Sequence, residues 1–127
     1  MSRAVGFCFL VAIGCRRPAE APFVDITATA GLDGAVPSYD AALADFDGDG
    51  RIDVYVGNHG AGAALYRNIG DGRFNNVIAT VGVEPGGDQH GAGWGDVDGD
   101  GRPDLYVGLG AERGRGTKAN RLYQNVG

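Results

Sequence analysis

The sequence has almost no cysteine. Two occur among 127 residues, Cys8 and Cys15, and both lie within the first fifteen positions. The rest of the chain therefore has no disulfide framework of the kind that stabilises many small exported domains. A long apolar run is missing too, because the run over residues 4–13 is ten residues long and a membrane-spanning helix needs about 20.

Basic clusters and helical patterns are also scarce. Eleven Lys and Arg face sixteen Asp and Glu, a formal net charge of −5, and a nucleic-acid footprint would show basic residues gathered on one face. After Pro22, apolar residues do not follow helical spacing for three turns. Glycine is abundant instead, at 24 residues, which indicates many tight turns. These features exclude nucleic acid as a partner and favour an all-β fold.

The N-terminus reads as a targeting segment. Arg3 precedes the apolar run, and Ala12-Ile13-Gly14-Cys15 ends it. The arrangement resembles a bacterial lipoprotein signal, with residues 1–14 removed, Cys15 lipidated and 15–22 a tether. An ordinary secretory signal cleaved near Ala19 or Ala21 is the alternative. Both predict an exported chain, either lipid-anchored at the cell envelope or secreted, in which a metal replaces disulfides as the stabilising link.

Two nine-residue acidic loops are the most unusual feature. Residues 45–53 read DFDGDGRID and residues 96–104 read DVDGDGRPD. Carboxylates about 4 Å apart repel by roughly 4 kcal/mol at an effective dielectric near 20, so a cation is needed. Calcium accepts six to eight oxygen ligands from carboxylates and carbonyls. We therefore predict two Ca²⁺ sites, with side-chain ligands at loop positions 1, 3, 5 and 9 and a carbonyl ligand at position 7: Asp45, Asp47, Asp49, Arg51 and Asp53, then Asp96, Asp98, Asp100, Arg102 and Asp104.

Two other structures share features with these loops. An EF-hand begins in the same way but needs a bidentate Glu at position 12, where this chain has Val56 or Val107. Its flanks would also be helical, and these are strand-like. A solvated acidic turn without metal is the other alternative, and the in-phase second copy makes it the weaker one.

The whole region repeats at an offset of 51 residues. Phe23–Asp33 returns as Phe74–Glu84, and the acidic loops and the strands after them follow the same offset. A later segment repeats at 57, because residues 111–118 contain an insertion. Short β-like runs separated by glycine-rich turns predict four strands in the first repeat and three in the second: 41–44, 54–57, 65–68 and 74–79, then 92–95, 105–108 and 122–125.

These residues resemble the FG-GAP/VCBS repeats of integrin-α-type β-propellers, in the bacterial and cartilage-acidic-protein-like branch. The resemblance covers residues 23–127, as repeat 1 (23–73) and repeat 2 (74–127). It implies four-stranded antiparallel blades, calcium held by the carboxylates, and a full propeller of seven blades. Two repeats make an incomplete propeller, so we expect the remaining blades from a longer chain or from self-association.

For function, the sequence predicts a binding or adhesion module for a protein or glycan ligand, not an enzyme. The alternatives are a hydrolase or lyase whose active site lies beyond residue 127, and a structural spacer. His59 and His90 occupy different repeat positions, so we expect surface residues and not catalytic partners. The basic insertion Arg113–Lys118 is a candidate contact for an acidic partner.

Overall fold

The computed structural model describes residues 22–34, 36–110 and 118–127. The predicted signal 1–14, the lipidation site Cys15, most of the tether and the insertion up to residue 117 lie outside the described residues. The described part contains one short helix and seven strands: α1 Thr27–Ala30, β1 Ser38–Ala44, β2 Asp53–Asn58, β3 Ala64–Gly70, β4 Arg73–Asn76, β5 Gln89–Gly95, β6 Asp104–Leu109 and β7 Arg121–Tyr123.

The strands form two antiparallel sheets. Strands β1 to β4 make a four-stranded sheet in sequence order, here blade 1, and β5 to β7 make a three-stranded sheet, here blade 2. The predicted all-β, blade-like fold is confirmed. The fourth strand is shorter than predicted and ends at Asn76, because the Asn76 side chain accepts a hydrogen bond from the amide of Ile78 (3.2 Å) and a turn begins there.

The segment before blade 1 differs from its counterpart. Phe23 aligns with Phe74 of β4, but residues 23–26 form no strand in the described part of the chain. They lead into the single turn of α1, where Asp25 accepts a hydrogen bond from the amide of Thr27 and Gly31 closes the turn at φ 78°. Within the described ranges no helix is long and apolar enough to cross a membrane.

The core lies between the two blades. Tyr55 and Leu65 of blade 1 and Leu105 of blade 2 are almost fully buried there. Trp94 meets the Tyr55 ring edge to face, with centroids 6.5 Å apart. The Tyr55 hydroxyl donates to Oε1 of Gln89 across the interface at 2.8 Å, and burial raises the pKa of Tyr55 to about 12. One apolar face of each sheet is therefore covered by the other sheet.

Blade 2 presents the same face again on its far side. Tyr55 and Leu65 are 0% and 1% exposed, and their repeat counterparts Tyr106 and Leu122 are 46% and 56% exposed. Tyr106 pairs with Leu122 across β6 and β7 in the register that joins Tyr55 to Leu65. The surface that blade 1 buries is thus left open on blade 2.

Candidate metal centres

The two acidic loops connect paired strands at the same end of each blade. Residues 45–52 join β1 to β2, and residues 96–103 join β5 to β6. Gly50 and Gly101 adopt φ values of 83° and 87°, a left-handed backbone that glycine accepts at little cost. This backbone turns each loop back on itself, so its carboxylates point inward.

In the first loop, Asp45, Asp47 and Asp53 bring carboxylate oxygens within 4.8 Å of one another. The Asp45 carboxylate accepts hydrogen bonds from the amides of Asp49 (3.0 Å) and Gly50 (2.8 Å). These amides fix the carboxylate without neutralising it. The arrangement leaves several oxygens converging on one point, as a hard divalent cation requires.

The second loop repeats this geometry. Asp96, Asp98 and Asp104 also bring oxygens within 4.8 Å. Asp96 accepts hydrogen bonds from the amides of Asp100 (3.0 Å) and Gly101 (2.9 Å). The hydrogen bond from the Gly101 amide is the largest cause of the lowered pKa of Asp96. The two loops are therefore built alike, down to individual amide contacts.

The last aspartate of each loop is buried. Asp53 and Asp104 are each 1% exposed. Asp53 accepts hydrogen bonds from the amides of Phe46 (3.1 Å) and Asn68 (2.7 Å), so it links the loop to the following hairpin. Burial raises the pKa of Asp53, and nearby Asp47 and Asp49 add to that rise. A buried carboxylate with this unfavourable charge environment suits a bound cation.

Three of the four predicted carboxylates converge in each loop, and the fourth turns aside. Asp49 accepts from the amide of Arg51 (3.0 Å) and forms an ion pair with the Arg51 guanidinium. Asp100 and Arg102 make the same contacts in the second loop. Asp49 and Asp100 thus lie beside an arginine at the edge of each cluster. The carbonyl ligands of Arg51 and Arg102 stay predictions.

The loops differ in one neighbouring side chain. Arg67 of β3 lies against the first loop, with Nε 2.5 Å from Oδ2 of Asp47 and Nη2 3.3 Å from Oδ2 of Asp49. Its repeat counterpart, Gln124, donates to Asp98 through a neutral amide. The first loop therefore carries a positive charge at its rim that the second loop lacks.

This difference predicts unequal calcium affinities. Arg67→Gln is expected to tighten calcium binding at the first loop by about threefold to tenfold, because one partly solvated positive charge a few ångströms from the ion is removed. Calorimetric calcium titration in an Asp98→Ala background isolates the first loop. The reciprocal control, Gln124→Arg in an Asp47→Ala background, should weaken the second loop. An unchanged affinity in both backgrounds would contradict the electrostatic explanation.

A third group of metal-type ligands lies at the other end of the blades. His59, Asp88 and His90 bring side-chain ligand atoms within 4.8 Å of one another. The sequence did not predict this group, because its members occupy three different repeat positions on two blades. A usable signal was present, however. Each of the three breaks the 51-residue repeat, since the corresponding residues are Gly110, Pro37 and Tyr39.

Comparison with known proteins gives one family. The model of the FG-GAP-like repeat matches residues 22–107, which is more than half of the chain and includes both acidic loops. A search of curated proteins found no match. The matched range begins just before α1 and ends within β6.

Proposed function

Because this chain belongs to the FG-GAP-like repeat family, we propose that it is an exported, calcium-stabilised propeller module that binds a protein or glycan at the cell envelope. Calcium has a structural role here, and the observation that carries this role is the duplicated loop. Both acidic clusters converge with the same amide contacts. A catalytic centre has no reason to recur once per blade, whereas a structural cation does.

The residues of the loops fit calcium. Asp45, Asp47 and Asp53 would hold one ion, and Asp96, Asp98 and Asp104 the other. The donors are all hard oxygens, which calcium prefers to nitrogen or sulfur. Two such ions would bring the formal net charge of −5 close to neutral. A structural site outside the cell needs only the affinity of extracellular modules, about 10⁻⁴ to 10⁻³ M.

A further blade on the open face of blade 2 is part of the proposal. Tyr106 and Leu122 repeat the face that Tyr55 and Leu65 bury, and repeat units bury their core only against neighbours. The occupant is another FG-GAP-like blade, supplied by a longer chain or by a second copy. Export and lipid attachment at Cys15 rest on the sequence of residues 1–15, and chemical labelling of the lipidated cysteine in membranes tests them.

The calcium role has a direct test in thermal unfolding. Millimolar calcium is expected to raise the Tm of the full chain by several degrees relative to the Tm in chelator. A free calcium concentration ten times the Kd adds about 1.4 kcal/mol of stability per site. Asp47→Ala and Asp98→Ala should each remove part of the gain. Asp33→Ala, an exposed aspartate outside both loops, is the control. A melting curve unmoved by chelator would refute the calcium role.

The binding role needs a separate measurement. Full-length chain is applied to a glycan array in calcium and in chelator, and eluted glycans are analysed by mass. Calcium-dependent retention of intact glycan supports a binding module. Glycan recovered in cleaved form would favour the alternative, a propeller-scaffold hydrolase or lyase. Absence of retention would direct the search to protein ligands of the envelope.

A further inference from the structure

We propose that His59, Asp88 and His90 form a binding site for a transition-metal ion, with Zn²⁺ as the expected occupant. The site is separate from the acidic loops. In blade 1, Ser38 pairs with Asn58 at one end of β1 and β2, and Ala44 pairs with Asp53 at the other. His59 follows Asn58, whereas the calcium loop follows Ala44. The two kinds of site therefore lie at opposite ends of the blades.

Asp88 stands between the two imidazoles. Its Oδ1 lies 2.7 Å from Nδ1 of His59, and its Oδ2 lies 3.2 Å from Nε2 of His90. The two rings lie with centroids 5.7 Å apart. One carboxylate thus presents a separate oxygen to each histidine, and three ligand atoms from two blades face a common space.

The Asp88 carboxylate supplies an independent reason to expect a ligand. Its side chain is more than nine-tenths buried, and among the described residues its Oδ1 makes no hydrogen bond, despite the short approach of His59. A buried carboxylate oxygen without a hydrogen bond costs free energy. A cation between the carboxylate and the imidazoles would satisfy that oxygen.

The backbone is shaped to present these side chains. Strand pairing shifts between Ser38 and Asp40 in β1 and between Gln89 and Gly91 in β5. His90 lies at the second irregularity, and Tyr39 lies at the first. Their rings stack with centroids 4.8 Å apart. Bulges re-aim side chains and occur often beside functional sites.

The three ligands are also departures from a backbone frame that the two repeats share. The amide of His59 donates to the carbonyl of Pro37 (2.9 Å), and at the corresponding place the amide of Gly110 donates to the carbonyl of Asp88 (2.7 Å). The backbone contact is therefore the same in both repeats. At these three positions only the side chains differ between the repeats, and each difference places a metal-type ligand in the same space. The repeated fold does not by itself require such ligands.

The donor set selects the metal. Two imidazole nitrogens and one carboxylate oxygen suit zinc and its neighbours, and not calcium. Three protein ligands plus an open position are typical of zinc sites that hold water or a substrate. A cavity lies beside His59 and Asp88, and its other lining residues are Gly60, Ala61, Gly62, Gly87 and Lys118. Tetrahedral zinc places its ligand atoms about 3.4 Å apart. Nδ1 of His59 lies 2.7 Å from Oδ1 of Asp88, so this half-exposed ring would move outward by several tenths of an ångström to admit the ion.

The test uses untagged full-length chain in excess calcium, so that the acidic loops are saturated. Zinc chloride is titrated by calorimetry, and the two histidines, the only ones in the sequence, are followed by NMR. We expect one zinc ion per chain and simultaneous shifts of both imidazole signals. His90→Tyr and His59→Gly install the residues of the other repeat, and each should weaken zinc binding at least about tenfold. Even the loss of a residue that only supports a metal ligand typically lowers metal affinity by about this factor.

The controls separate zinc binding from folding. Both variants should keep the wild-type calcium-induced rise in Tm, and Asp47→Ala should keep wild-type zinc affinity. Cys8 and Cys15 are replaced by serine in the reference chain and in every variant, because free thiols bind zinc themselves. Zinc binding unaffected by His90→Tyr, or zinc that shifts neither imidazole, would overturn the proposal.

Discussion

Asp53→Ala is expected to lower the free energy of unfolding in calcium by about 2–6 kcal/mol. Asp53 is 1% exposed and accepts the amides of Phe46 and Asn68. Alanine leaves both partly buried amides without this acceptor, at about 1–3 kcal/mol for each, which gives the stated range; the lost calcium ligand adds to it. Urea unfolding followed by fluorescence of Trp94, the single tryptophan, measures the loss.

The isosteric variant Asp53→Asn removes the charge and keeps the shape, and it also replaces one of the two acceptor oxygens by an NH2 donor. The comparison therefore rests on the changes with pH and with calcium. In metal-free protein, burial raises the pKa of Asp53. The fold therefore favours the protonated form, and that contribution is present below the ordinary pKa and is lost as pH rises through the raised one. In chelator we expect wild type to lose stability relative to Asp53→Asn as pH rises toward neutrality. In calcium we expect wild type to gain more stability than Asp53→Asn, because its charged carboxylate binds the ion more tightly than the neutral amide oxygen of asparagine. An equal calcium-induced gain in the two proteins would contradict a metal role for Asp53.

Leu105→Ala is expected to destabilise the chain by about 2–5 kcal/mol, the usual cost of a leucine-to-alanine cavity. Leu105 is 2% exposed and belongs to the cluster between the blades. It pairs with Trp94 on one side and Tyr123 on the other, so the cavity would open in the middle of the only interface that the described residues bury. Chemical unfolding at fixed calcium concentration measures the change.

Leu122→Ala is the matched control for this substitution. Leu122 is a leucine of the same sheet, but it is 56% exposed on the far face. Removing an exposed side chain usually changes stability by less than about 0.5 kcal/mol. A cost equal to that of Leu105→Ala would mean that the far face is covered in solution by a second copy. A small loss of unfolding free energy at both positions would contradict the conclusion that Leu105 lies in a core between the blades.

The blades and the acidic loops were predictable because their causes are local. The β-branched and aromatic run Val54-Tyr55-Val56 and the glycines at fixed loop positions each act over a few residues. The 51-residue offset shows that the same local pattern occurs twice. The same locality explains the error at the end of β4, because Asn76 ends the strand early through its own side chain. The ligand role of Asp49 stays a prediction, and its carboxylate accepts a hydrogen bond from the amide of Arg51, two residues away.

The histidine group was not predictable from periodicity, because it depends on how neighbouring blades meet. His59 ends one hairpin of blade 1, and Asp88 and His90 begin blade 2. Only the packing of β1 beside β5 brings them together. A repeat analysis looks for positions that agree, and this group consists of positions that disagree. Mapping the disagreements onto the fold is what reveals it.

The open face of blade 2 makes the contact between blades heterologous. Blade 1 enters this contact with the face that carries Tyr55 and Leu65, whereas the same face of blade 2, with Tyr106 and Leu122, is exposed. Blade 2 enters the contact with its opposite face, so the two blades use different surfaces. Such head-to-tail contacts either close into a ring or continue as a filament, according to the rotation between successive units. The packing angle set around Tyr55 and Trp94 therefore determines how many blades complete a circle.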